Sequence, residues 1–105
     1  MTDLSLAAFL GLSGALLAVG LFGILTRRNF ILLLIAIEVA MNAAILNFIY
    51  FAAFQGPDSG VSGQAAAVVI VGLAATEIAV GLAIVLALNR QRGSINVAEA
   101  TQLKL

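Results

Sequence analysis

The sequence has no cysteine, no histidine and no tryptophan, and its one proline is Pro57. Without cysteine there is no disulfide and no thiolate ligand for an iron–sulfur cluster. Without histidine the usual zinc and haem ligands and the commonest general base are missing as well. Any redox step must therefore belong to a partner. Charge is scarce: only 10% of the 105 residues are charged, and the formal net charge is zero. That leaves no basic patch for nucleic acid and no acidic tail. A phosphate-cradling glycine loop is also lacking, because Gly11 and Gly14 fall inside an apolar run. There is no internal repeat and no low-complexity segment.

What is present is apolar surface, with 63% of residues hydrophobic. A soluble domain of this size could not bury that much, since small domains keep much of their surface exposed. Two polar breaks divide the chain: Thr26-Arg27-Arg28-Asn29, and Gln55-Gly56-Pro57-Asp58-Ser59-Gly60 with its turn formers. Three runs remain, over about 4–25, 30–54 and 63–88. Each is long enough to cross the hydrocarbon core, which takes about 20 helical residues. Barrel strands would need only about ten residues with strict alternation, and none occurs. The first run is too long for a signal sequence, has no positive charge before it but only Asp3, and is followed by two arginines rather than a cleavage site. The expected fold is an all-α membrane protein: one membrane domain over residues 1–105, three transmembrane helices, and a polar tail over 89–105.

Arg27 and Arg28 follow the first run, and Arg90 and Arg92 follow the third. With three spans these four topology anchors share a side. The positive-inside rule then predicts an N-terminus outside and a C-terminus in the cytoplasm. Phe48, Tyr50, Phe51 and Phe54 gather at the far end of the second span, where an aromatic belt is expected. Ala7, Gly11, Ala15 and Ala18, with Gly14, Gly20 and Gly23 nearby, would let the first helix approach a neighbour closely.

Two carboxylates break the pattern. Glu38 lies inside ILLLIAIEVAMNAAILNF and Glu77 inside LAATEIAVGLAIVLAL. Counting about 1.5 Å per residue sets Glu38 about 12 Å below the arginine-bearing edge and Glu77 about 16 Å below it. Antiparallel neighbours could bring the two within one or two waters of each other. A charge at a helix centre costs about 2.5–3.5 kcal/mol on insertion scales. No Lys, Arg or His lies in any span to neutralise it. Either another subunit supplies the counter-charge or the carboxyls are held protonated, since desolvation disfavours a charged carboxyl. A buried group able to take either form is what a proton relay needs. The plainer alternative is a protonated Glu that only hydrogen-bonds helices together. Asn42 lies 40° around the helix from Glu38 and could extend a polar strip, whereas Asn47 faces elsewhere. Ala74 and Gly81 flank Glu77 and would leave room for water or a helix. The Thr76 hydroxyl is expected to bond its own helix backbone.

The RRN loop, the second-span Glu followed by Asn42, the AATEIAVGLA segment and the ending INVAEATQLK resemble one family. It is the K subunit of proton-pumping NADH:quinone oxidoreductase, respiratory complex I. The resemblance runs from about Leu16 to the tail. It implies that Glu38 and Glu77 belong to a buried proton relay joining quinone reduction to pumping, with no catalytic, cofactor-binding or metal-binding residue in this chain. It also implies that flavin, iron–sulfur clusters and quinone belong to partner subunits. The implied partners are antiporter-like and small membrane-arm subunits and the lipid bilayer, in a bacterial inner membrane or its organelle equivalent. Ile45 stands where the family commonly has a second Asn, and Thr76 where it has Ala.

Three other readings fit parts of the chain. The equivalent subunit of a cation/proton antiporter or membrane-bound hydrogenase usually lacks the second-span Glu. A small multidrug transporter would have four spans and usually tryptophans. A non-transporting assembly subunit explains the glycines but not the paired carboxylates.

Overall fold

The computed structural model describes residues 3–54, 57–93 and 95–100. Four helices follow in order: α1 Asp3–Thr26, α2 Phe30–Phe54, α3 Pro57–Arg92 and α4 Val97–Ala100. Among the described residues no strand forms, and α1, α2 and α3 are long and apolar enough to cross a membrane. Apolar side chains surround each long helix, and many large ones point outward, among them Leu4, Phe22, Val68 and Leu86. A helix that is apolar all round belongs in lipid or against other helices.

α2 is the middle helix and packs against both α1 and α3. Small residues make both seams. A Cβ built on Gly20 would lie 2.7 Å from the Ala40 nitrogen, and one on Gly23 would lie 2.7 Å from the Ala36 Cβ. Ala36 and Ala43 are buried there, with Ser13 of α1. Across the other seam Gly63 meets Ala52 and Gly81 meets Leu34. Ala67, Ala74 and Val85 of α3 are buried. Lipid tails are as apolar as leucine, so close van der Waals contact between small residues is what favours association here.

The α1 contact stripe differs from the expected one. Ala7, Gly11, Ala15 and Ala18 are exposed, and Gly11 and Gly14 face open space. Of the small residues expected to pack, the seam uses Gly20 and Gly23, together with Ser13. Tyr50 also departs from the belt reading: it is 2% exposed and sits against Phe9 of α1, ring centroids 4.4 Å apart. Its hydroxyl is 3.3 Å from the Ser5 hydroxyl. Phe51 and Phe54 pack on it while remaining exposed themselves.

α3 is longer than the apolar run 63–88. It begins at Pro57, because proline suits the first turn, where its missing N–H is not needed. Gln55 and Gly56 of the second polar break lie outside the described residues. At the other end helix continues through Asn89–Arg92. It stops at Gly93, whose φ of 66° is the left-handed conformation common after a helix. The Gly93 N–H donates to the Asn89 carbonyl at 2.8 Å.

The segment after α3 turns back onto the first loop. Asn29 and Asn96 form an antiparallel bridge. The Phe30 N–H donates to the Ile95 carbonyl at 3.0 Å, and the Val97 N–H to the Arg28 carbonyl at 2.6 Å. Each asparagine also caps a helix. Asn29 Oδ1 accepts from Ile31 N–H at 2.9 Å, and Asn96 Oδ1 from Ala98 N–H at 2.9 Å. The polar tail is therefore bolted to the α1–α2 loop over residues 95–97; residues 101–105 lie outside the described part.

Candidate functional site

The α2–α3 seam sets the depth of both carboxylates. The two helices run antiparallel, and Leu34 fills the space over Gly81: a Cβ there would lie 2.6 Å from Leu34 Cδ2. Glu38 is four residues beyond Leu34, and Glu77 is four residues before Gly81. Both are therefore one helical turn deeper than the same contact, and so nearly level. The room expected beside Gly81 is occupied by Leu34 rather than left for water, and Ala74 is 3% exposed.

Level does not mean adjacent. Glu38 is half-buried and lines a groove of about 190 Å³ with Leu34, Ile78 and Leu82. Glu77 is exposed and lines another, of about 530 Å³, with Leu34, Thr76 and Val80. On α3, Glu77 and Leu82 are about 140° apart. The contact residues Ala74, Gly81 and Val85 lie between them. The two grooves thus open on opposite sides of the seam, with Leu34 as their common wall. The two carboxylates line separate grooves rather than one shared pocket. Among the described residues no hydrogen bond or ion pair reaches either carboxylate.

Asn42 is exposed on the Glu38 side of α2. The Thr76 hydroxyl donates to the Gly72 carbonyl at 2.9 Å, a bond within its own helix. Arg27 and Arg28 are exposed in the first loop, and Arg90 and Arg92 in the last turn of α3. The clasp between residues 28–30 and 95–97 puts all four at one end of the molecule.

Sequence reasoning missed two features. One is the pairing of Asn29 with Asn96; asparagine before an apolar run was a readable cap signal, but the pairing was not. The other is Asn47. It lines a groove of about 600 Å³ at the far end of the α2–α3 seam with Phe48, Phe51 and Ser62. Its Oδ1 is buried without a hydrogen-bond partner.

Residues 8–105 match the family described as NADH-ubiquinone/plastoquinone oxidoreductase chain 4L. The chain belongs to this family. It is 44% identical over 100 residues to NADH-quinone oxidoreductase subunit K 1 of Syntrophobacter fumaroxidans, covering 95% of this chain and 97% of that one. Subunit K of Anaeromyxobacter dehalogenans is 44% identical over 95 residues, covering 90% and 93% of the two chains. Subunit K of Geobacillus kaustophilus is 42% identical over 101 residues, covering 96% and 99%. As a subunit K chain it is part of a membrane-bound quinone oxidoreductase complex, and the other subunits of that complex are its implied partners.

Proposed function

We propose that this subunit supplies Glu38 and Glu77 to a proton relay in the membrane arm of an NADH:quinone oxidoreductase, coupling quinone reduction to proton translocation. The supporting observation is the placement of the two carboxylates. They sit level with each other, one turn past the Leu34–Gly81 contact, and no group in the described chain neutralises them. An unpaired carboxylate at that depth is costly. On this reading, groups from neighbouring subunits complete both grooves. Because the grooves open on opposite sides of the seam, each carboxylate meets a different neighbour. The relay passes through this chain by way of its neighbours, not by a direct transfer from Glu38 to Glu77. Asn42 sits beside Glu38 and extends the polar strip on that side.

Flavin, iron–sulfur clusters and quinone belong to partner subunits on this reading. This chain offers no thiolate or imidazole to hold them. The four arginines at one end face the cytoplasm and the N-terminus faces outside, across a bacterial inner membrane.

The test is Glu77→Gln in the assembled complex, which keeps the shape and removes the titratable proton. Proton uptake by inverted membrane vesicles should fall by roughly a hundredfold, the low end of what losing a proton-transfer group costs. The complex should still assemble. Glu38→Gln should act in the same direction but more mildly. Unimpaired uptake in the Glu77 variant would favour simple helix glue.

A further inference from the structure

We propose that the furrow running down from Arg27 and Arg28 binds one anionic phospholipid, with its phosphate at the arginines and one acyl chain between α1 and α2. Two adjoining cavities make the furrow. The upper one, of about 380 Å³, is lined by Thr26, Arg27, Arg28, Asn29 and Asn96. The lower one, of about 320 Å³, is lined by Val19, Phe22, Ile35 and Val39. Arg27 and Leu32 border both, so the two adjoin end to end. Gly23 and Ala36, in contact across the α1–α2 seam, form the floor of the lower cavity, and their small side chains leave the groove above them unfilled.

A phospholipid presents the same order of chemistry along its length: phosphate first, then hydrocarbon. Both arginines are exposed, and among the described residues neither is ion-paired. A guanidinium offers a planar fork that binds phosphate oxygens in pairs. Its aliphatic stem can lie along apolar surface while the head stays at the interface. Leu32 to Val39 spans about 10 Å of helix, roughly a third of the ~30 Å hydrocarbon core. The clasp with residues 95–97 fixes the backbone beneath the arginines, so the site is built before lipid arrives. Basic pockets between membrane helices commonly take anionic headgroups. The charge at the mouth favours such a lipid over an apolar partner helix.

The test uses the intact complex in nanodiscs with photoactivatable phosphatidylglycerol or phosphatidylcholine, and mass spectrometry of the labelled peptide. Labelling within residues 19–39 should favour phosphatidylglycerol by about fivefold or more, as one basic contact predicts. Arg27→Gln with Arg28→Gln should reduce that preference to parity, while Arg27→Lys with Arg28→Lys should keep most of it. Val19→Trp, which fills the lower furrow and leaves the charge alone, should lower labelling by both lipids. Equal labelling by the two headgroups in the unaltered complex would overturn the proposal. So would the absence of labelling there, which would mean that a neighbouring subunit covers the furrow. Neither readout depends on the relay reading.

Discussion

At Gly20 α1 and α2 approach closely, because the backbone of Ala40 takes the space a side chain would need. Gly20→Ala would force a methyl group to within 2.8 Å of the Ala40 Cα, so the helices must move apart. Overpacking of this kind costs about 1–3 kcal/mol. The complex carrying Gly20→Ala should therefore dissociate at lower temperature or detergent concentration than the parent. Gly14→Ala meets nothing among the described residues of this chain and should leave the α1–α2 seam intact. Disulfide trapping of paired cysteines on α1 and α2 would check both. The sequence could announce small residues on α1 but not choose among them. Alanine and glycine occur all round that helix, and which ones touch α2 depends on a crossing that backbone contact decides. Thr76 was easier to read, because its bond to Gly72 is local.

At the scale of elements, the clasp is the feature with the most testable geometry. Asn29 and Asn96 each cap a helix and pair with each other across the bridge. Replacing an asparagine cap by alanine costs about 0.5–2 kcal/mol. Asn29→Ala should loosen the first turn of α2, seen as faster amide exchange at Ile31 and Leu32. The Asn96→Ala variant should leave those two amides protected while exposing Ala98. Equal exchange in both variants would mean that the caps are not independent. The three long helices were readable from apolar length alone. The ends of α3 were not: its start holds Pro57 and Gly60, which suggest a turn, yet a proline in the first turn also begins a helix. The pairing of 95–97 with 28–30 runs through backbone groups, which leave no mark on side-chain pattern.

At the scale of the whole molecule, the chain is elongated, 54 × 23 × 18 Å, with α2 between α1 and α3. The α1 contacts at Ala36 and the α3 contacts at Ala52 lie about 160° apart around α2. Both broad faces are thus left open. The absence of cysteine makes sidedness measurable. Cysteines placed singly at Val61 and at Gln91, both exposed, should react with an impermeant maleimide from opposite sides of the membrane. Gln91 is expected to react from the cytoplasmic side, and the opposite result would invert the proposed orientation. Counting residues along the helices put the glutamates at similar depth, as the seam contact does. Which side of the seam each would occupy was beyond reach, because it depends on α3 turning Gly63, Ala74 and Gly81 towards α2.

Leu34, the wall common to both grooves, has a consequence for how the two faces could communicate. A side chain without polar atoms cannot pass a proton, so on the relay reading it behaves as an insulating septum. Loading one face would then be felt on the other through the electric field across hydrocarbon, where the dielectric is low and the influence of a charge extends furthest.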